Sequence, residues 1–455
     1  MQRREFIKLS LNAAVLTATA MAGGYYCLSR KDFKTPSGLG LITGPLKYKF
    51  NSDNTAQINS DLSAFYPKGY KADKSNIGLK VYYVDSGNGT MQGDGLSWET
   101  AMKSINVAIH QPDVDAVLIA GGKHYGIDDE GVIGMGTYSG NRDVALIAVG
   151  EPAIISSARK VRWSSYRKRI YSSSNTGGQV HKVIDISRED KNGNPIELRQ
   201  VISFDLLNSD TFFFDEDRGK VFVRLSRRRT PDENILCLRQ DPNQVSAHDV
   251  KWYARNIKWY GASRGALRYK NCGKNTITTI EDCHMGFSTQ DGLCVRDVGL
   301  SIARRCSSFN NDNDAFNYHE ENGLSPHGIE ESCKGYNSKQ LATGNGSTSH
   351  ENCRVLRVNC EYYKNKGPGI ADIQTSKTYN VAVTSRDNYA SNNSWGIQAT
   401  DDVEIWLHKV SAFNNSGDNK KGDVVFSDNV KAYVKDLVSS SDIVISGNVK
   451  VIYRI

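Results

Sequence analysis

Short alternating runs of apolar and polar residues fill the second half of this chain, and from about Cys283 they repeat. Cys283, Cys306, Cys333 and Cys360 each follow a short β-branched or apolar run. Eight residues after Cys283 comes Asp291-Gly292-Leu293-Cys294-Val295-Arg296, and eight after Cys306 comes Asp314-Ala315-Phe316-Asn317-Tyr318-His319. The same frame holds Pro368-Gly369-Ile370-Ala371-Asp372 and then Trp395-Gly396-Ile397-Gln398-Ala399. A period of 22 to 27 residues with alternating strands and Asn/Gly turns predicts an all-β fold, a solenoid of parallel β-coils. Parallel strands on successive coils lie about 4.8 Å apart, so residues one period apart in sequence become neighbours in space.

The pattern divides the chain further. Residues 28–77 read as a polar connector, and 78–157 as an N-terminal cap with the first coils. Within that cap Ala101, Ile105, Ala108 and Ile109 share a helical face, and Asp115–Gly122 reads as a buried strand ending in a turn. A strand, a Gly-rich loop and one amphipathic helix suit the closing of a solenoid's apolar end. Between residues 158 and 245 the coil pattern breaks. Trp163–Tyr171 and Thr211–Leu225 there read as short strands with a hairpin, a small β insert. Residues 246–455 return to coils, about eight of them at about 25 residues each. Asn310-Asn311, Asn392-Asn393 and Asn414-Asn415 recur at corresponding turns and predict ladders in tight left-handed bends. The four periodic cysteines fall where small buried side chains stack. Disulfide geometry is awkward between in-register parallel strands, so free thiols are expected.

Residues Tyr82–Ile105 followed by Val114–Gly126 resemble the opening of the right-handed parallel β-helix proteins of the pectate-lyase-like superfamily. The resemblance covers that opening and the coils from about Ser246. It implies a secreted carbohydrate-active protein: a polysaccharide lyase, a glycoside hydrolase or a uronan epimerase. The insert is similar to the one that many such proteins carry after their first coils. The family's Asp-Pro-His box is matched only in its last two residues by Ser325-Pro326-His327. Calcium enters as an optional cofactor through the calcium-dependent lyases of the family. Asp312 and Asp314 are near the expected place, without the rest of that set. The adjacent Asp pairs and Gly-His-Gly of the polygalacturonases are absent.

The coil register places Arg296, His319 and His350 at one outward position of successive coils. Two imidazoles about 4.8 Å apart on a rigid sheet suit an acid and a base in proton transfer. Their plain alternative is a pair of exposed histidines without a role. Uronate chemistry needs a cation against the C6 carboxylate, a base for the C5 proton and an acid for the leaving oxygen. The candidate catalytic groups are therefore His319, His350, Tyr318, Lys339 and Asp372, with Arg296, His327, Glu320 and Glu351 as candidate substrate-binding groups. Asp372 aligns with the inward Tyr318 and is either a buried structural acid or a site residue.

Composition changes this picture little. Forty glycines, ten prolines and a mean hydropathy of −0.49 suit a turn-rich β protein. The N-terminal Arg3-Arg4-Glu5-Phe6-Ile7-Lys8 before an apolar run to Ala22 resembles a twin-arginine export signal within residues 1–27, too short for a transmembrane anchor. Export to the periplasm or beyond is expected. The net charge of +7 falls to near +5 without that leader, and the basic run from Arg159 to Arg169 offers an anionic polysaccharide a wall, or is merely solvated. The export signal and the lack of a nucleic-acid-binding motif disfavour nucleic acid. The expected species is a monomer, and its Cys/His spacings match no zinc site.

Overall fold

The computed structural model describes residues 48–453 apart from 54, 59–60, 68–78, 240–242, 262, 341–342, 391–394 and 418–421. The leader, most of the connector and Asn392-Asn393 lie outside the described residues. The chain is a β-solenoid of the parallel β-helix kind, with about 11 stacked coils. Each full coil contributes strands to three ladders. The first ladder holds ten strands, from Thr137–Tyr138 through Asp291–Arg296, Phe316–His319, Ser347–Ser349 and Ile370–Asp372 to Ile443–Ile445. The second runs from Val81–Val84 through Val298–Arg304, His327–Glu331 and Arg354–Val358 to Lys450–Tyr453. The third includes His284–Gly286, Ser307–Phe309 and Lys334–Tyr336.

Two recurrent corners set this geometry. Between the second and third ladders one residue per coil adopts left-handed backbone: Asp282, Arg305, Ser332, Asn359 and Ala382 have φ between 52° and 54°. The next residue turns inward, and this is the position of Cys283, Cys306, Cys333 and Cys360. All four are buried and free, and their sulfurs donate to backbone carbonyls, as from Cys306 Sγ to Arg304 O at 3.2 Å. Beyond the third ladder Asn310, Asn337 and Asn414 take the second left-handed bend. The buried amides that follow form a ladder, Asn365 Nδ2 to Asn388 Oδ1 at 3.0 Å and Asn388 Nδ2 to Asn415 Oδ1 at 2.8 Å. The short Asn side chain tolerates such bends and its neighbour satisfies the buried backbone groups there.

The single α-helix among the described residues, Ile105–Ile109, is N-capped by Ser104 and buries Ile105, Ala108 and Ile109 over the first coils. The insert interrupts the stack without disturbing its register. Val144–Val149 pairs directly with Lys251–Arg255, and Ala153–Arg159 with Ile257–Tyr260, across the excursion. The insert contains the Thr211–Asp215/Lys220–Arg224 hairpin, and its Ile184, Leu236 and Leu238 pack on a file of outward aromatics, Tyr260, Phe287, Phe309 and Tyr336.

The described residues between 48 and 66, read from the sequence as part of a connector, lie along the outside of the second ladder. Phe50, Ala56 and Ile58 cover Leu356, Val358, Tyr379, Val381 and Trp406, and Ile58 with Phe65 covers Leu300, Ile302 and Ile329. The Ile58 N–H donates to Glu331 Oε1 at 2.8 Å and the Tyr66 hydroxyl to Glu281 Oε1 at 2.6 Å. This segment straps several coils from outside.

Candidate functional site on the first ladder

Strand alternation sorts the first ladder into inward and outward files. Leu293 and Phe316 face in, as do Val295 and Tyr318, whereas Cys294 and Asn317, then Arg296 and His319, face out. A tight corner precedes each strand. A Cβ on Gly292 would stand 1.7 Å from Ser308 Oγ, so only glycine fits there. Because the corner residue, Gly292 in one coil and Ala315 in the next, turns inward, Asp291 and Asp314 before it join the outward side. Three files therefore stand together: Asp291, Asp314 and Asn345; Cys294, Asn317 and Thr348; Arg296, His319 and His350. Glu351 and Glu320 follow at the edge.

The imidazoles of His319 and His350 stack with centroids 3.5 Å apart and planes 17° from parallel. His319 Nδ1 lies 3.3 Å from Glu351 Oε1. That carboxylate accepts the Glu320 N–H at 3.0 Å through its other oxygen, while the Glu351 N–H donates to Gln374 Oε1 at 2.7 Å. Burial, then the neighbouring imidazole and the Arg296 charge, hold His350 down to about 3. Burial and Arg296 lower His319 too, against the opposing pull of Glu351. The two rings are neutral near pH 7, and Arg296 stays charged beside them.

On the neighbouring file, burial raises the carboxyls of Asp291 and Asp314, and the charge of Asp291 raises Asp314 further. Asn313 Nδ2 donates to Asp291 Oδ1 at 3.0 Å, and the Asn345 N–H to Asp314 Oδ1 at 2.9 Å. Burial and the neighbouring Asp291 charge thus favour the protonated form of Asp314. Asp291 escaped the sequence reading because strict alternation assigns it, with Leu293, to the interior. The glycine after it was the available signal of a corner.

The other candidates are placed elsewhere. Tyr318 is fully buried and points to the opposite side of the sheet from His319, into the solenoid beside Glu330. It is corrected from a candidate acid to a core residue, since strand alternation forbids neighbours from sharing a face. Asp372 is also interior. It pairs with Arg357, Nη2 to Oδ1 at 3.0 Å and Nη1 to Oδ2 at 3.2 Å, and both side chains have 0 % exposure. Glu330 accepts from Ser347 and Tyr362 at 2.7 Å in the same network. Asp372 is thus the buried structural acid of the two readings. Lys339 forms an ion pair with Glu197 of the insert. With Lys182, which donates to Ser288 O at 2.9 Å and Asp312 Oδ1 at 2.6 Å, it fastens the insert to the turns that lead into the first ladder. His327 opens a second-ladder strand, on a different face from the imidazole stack, and burial and Arg354 hold it to about 4. Glu320 accepts from Asn352 Nδ2 at 3.1 Å and from the Ser325 hydroxyl.

Among the described residues, the metal-binding donors that converge are those of His319, His350 and Glu351, all within 4.8 Å of one another. Calcium takes six to eight oxygen ligands, and this set of two nitrogens and one carboxylate does not fit it. No described helix is long and apolar enough to cross a membrane.

No family model matches the sequence, and no curated protein matches it. Among solved structures, similar chains include the pectate lyase Pel9A, at 13% identity and a TM-score of 0.36 over 82% of this chain and 78% of that one. A glycoside hydrolase gives 8% identity and a TM-score of 0.40 over 82% and 96%. XylC, solved with xylose, gives 11% and 0.38 over 82% and 70%. At these values the likeness carries no argument about the chemistry of this face.

Proposed function

We propose that this chain is an exported enzyme that binds a uronate-containing polysaccharide along the first ladder and cleaves it by β-elimination. The observation that carries the reading is the neutral His319–His350 stack beside the charged Arg296, with Glu351 against His319. Arg296 neutralises the C6 carboxylate, which makes the C5 proton more acidic and stabilises the charge that develops when it leaves. His319 presents the nitrogen opposite Glu351 as the base, and Glu351 fixes its tautomer and steadies the imidazolium that forms. The C5–H electron pair becomes the C4–C5 double bond, the C4–O bond breaks, and the leaving oxygen takes up a proton. Asp314, whose carboxyl burial and the Asp291 charge push well above the usual carboxylate range, replaces Tyr318 as its source. A panel of acidic exopolysaccharides tests this. Ultraviolet-absorbing unsaturated ends are expected, and reducing ends without them would overturn it.

That last outcome is the second reading, favoured by Asp291 and Asp314 together. Their strands lie about 4.8 Å apart, close to the separation of about 5–5.5 Å between the carboxyls of retaining glycosidases. Polymer binding without shortening would leave a non-catalytic surface protein.

A further inference from the structure

We propose that His319, His350 and Glu351 form a binding site for a divalent transition ion of the zinc class, a site that rests on their geometry and is independent of the proposed cleavage reaction. The donor types are those such an ion selects: two imidazole nitrogens and one carboxylate, with further positions open to water or a saccharide hydroxyl. The spacing suits it as well. The 3.3 Å between His319 Nδ1 and Glu351 Oε1 is the length of one edge of a tetrahedron whose bonds to the ion are about 2.0–2.1 Å. An ion entering there takes the place of the proton between the two atoms. The nearest donor atom of His350 lies within 4.8 Å of both. To aim its lone pair at the same point, its ring must open from the 17° stack, a side-chain rotation that leaves the backbone ladder in place.

The surroundings hold two of the three ligands before an ion arrives. His319 is paired in the sheet through Arg296, and Glu351 is held on both sides, by the Glu320 N–H on its carboxylate and by Gln374 on its own N–H. Preorganisation of this kind lowers the ordering cost of binding. One neighbour opposes the ion. Arg296 stands in the same file as the two histidines, and its positive charge weakens any cation bound there. The site has a functional corollary. An imidazole that gives Nδ1 to an ion carries its one proton on Nε2, and so has no lone pair left for a substrate. Ion binding and action of His319 as a base are therefore mutually exclusive, and a bound ion blocks cleavage.

The test uses tag-free, chelator-treated full-length protein titrated with Zn2+ by calorimetry and with Co2+ by visible absorption. One ion per chain is expected, with a Co2+ spectrum of low coordination number. His319→Ala and His350→Ala should each weaken binding by about 10- to 100-fold at the least, and Glu351→Gln, which keeps the side-chain shape, should weaken it too. Arg296→Gln should tighten binding, a change that ligands elsewhere would not produce. Melting curves within a few degrees of the parent confirm that each variant is folded. No binding, binding that survives in the doubly substituted His319→Ala/His350→Ala protein, or an affinity indifferent to Arg296→Gln would each overturn the site. Metal binding without lyase activity leaves it standing, and lyase activity without metal binding removes it alone.

Discussion

The stack of His319 on His350 follows from coil register, since Tyr318 pairs with Ser349 and the next residues fall opposite each other. A rigid sheet sets their spacing, and no loop closure is needed to assemble them. His319→Ala should lower turnover by about 10²-fold or more on a polymer the parent degrades, and His350→Ala, which removes the ring stacked on the base, should lower it less. Both should melt within a few degrees of the parent, because neither ring is part of the apolar core. Arg296→Ala should raise KM for an acidic polymer, and the ratio to the parent should shrink as salt rises, because screening weakens the lost attraction. Asp372 makes the opposite kind of residue. Asp372→Ala strands the buried Arg357 without its main counter-charge, and unfolding by denaturant should show a loss of about 3–5 kcal/mol. Any fall in its turnover should follow the unfolded fraction.

Packing of one element on another explains what isolated strands do not. The strap of residues 48–66 covers an apolar file that faces outward from the second ladder, Leu300, Ile302, Ile329, Leu356, Tyr379 and Trp406. Its end is anchored where Tyr66 meets Glu281, a carboxylate also paired with Arg304 and Arg305. Tyr66→Phe removes the hydrogen bond to the charged, buried Glu281 together with the one the hydroxyl accepts from Arg304 Nη1 at 3.2 Å. It should cost about 1.5–3 kcal/mol in denaturant unfolding while leaving turnover unchanged. The cysteine ladder gives a second measurement. Cys283, Cys306, Cys333 and Cys360 should resist alkylation in the native protein and react after denaturation without reductant. Bridged peptides in the mass spectrum would contradict the free thiols.

The whole molecule carries several imidazoles that folding keeps unprotonated. Burial is the first cause in each: His124, His327 and His408 are held to about 4, and His350 to about 3. With folded values below the usual 6.5, the unfolded chain binds more protons at mildly acidic pH, so stability rises with pH across that range. Their contribution is fully present above about 6.5, and is lost as pH falls toward 4 and, for His350, toward 3. Buried acids with raised values, Asp291, Asp314 and Glu330, act in the opposite sense from their unfolded values of about 4 upward and offset part of the effect, but among the described residues the imidazoles held low outnumber them. Melting temperature should therefore drop between pH 7 and pH 5. A flat or rising profile would contradict the burial of these rings.

Local chemistry and period alone determined the solenoid, the cysteine ladder and the asparagine bends, because each coil repeats one pattern and neighbours in the stack are one period apart. For the same reason the Arg296, His319 and His350 file was legible, since regular alternation holds along those strands. Alternation also argued that Tyr318 and Asp372 face inward, but whether a buried carboxylate has a partner depends on residues from other strands. Only the folded chain shows Arg357 there. The outward turn of Asp291 and Asp314 was hidden because one corner residue, Gly292 or Ala315, shifts the alternation by a residue. The strap was hidden more deeply. Its few apolar residues, Phe50, Ala56, Ile58 and Phe65, have no periodicity of their own, and what fixes them is an outward apolar file several hundred residues later in the chain. Sequence determines what repeats with its own period; contacts between segments with no shared period are decided by the tertiary structure, because only packing brings them together.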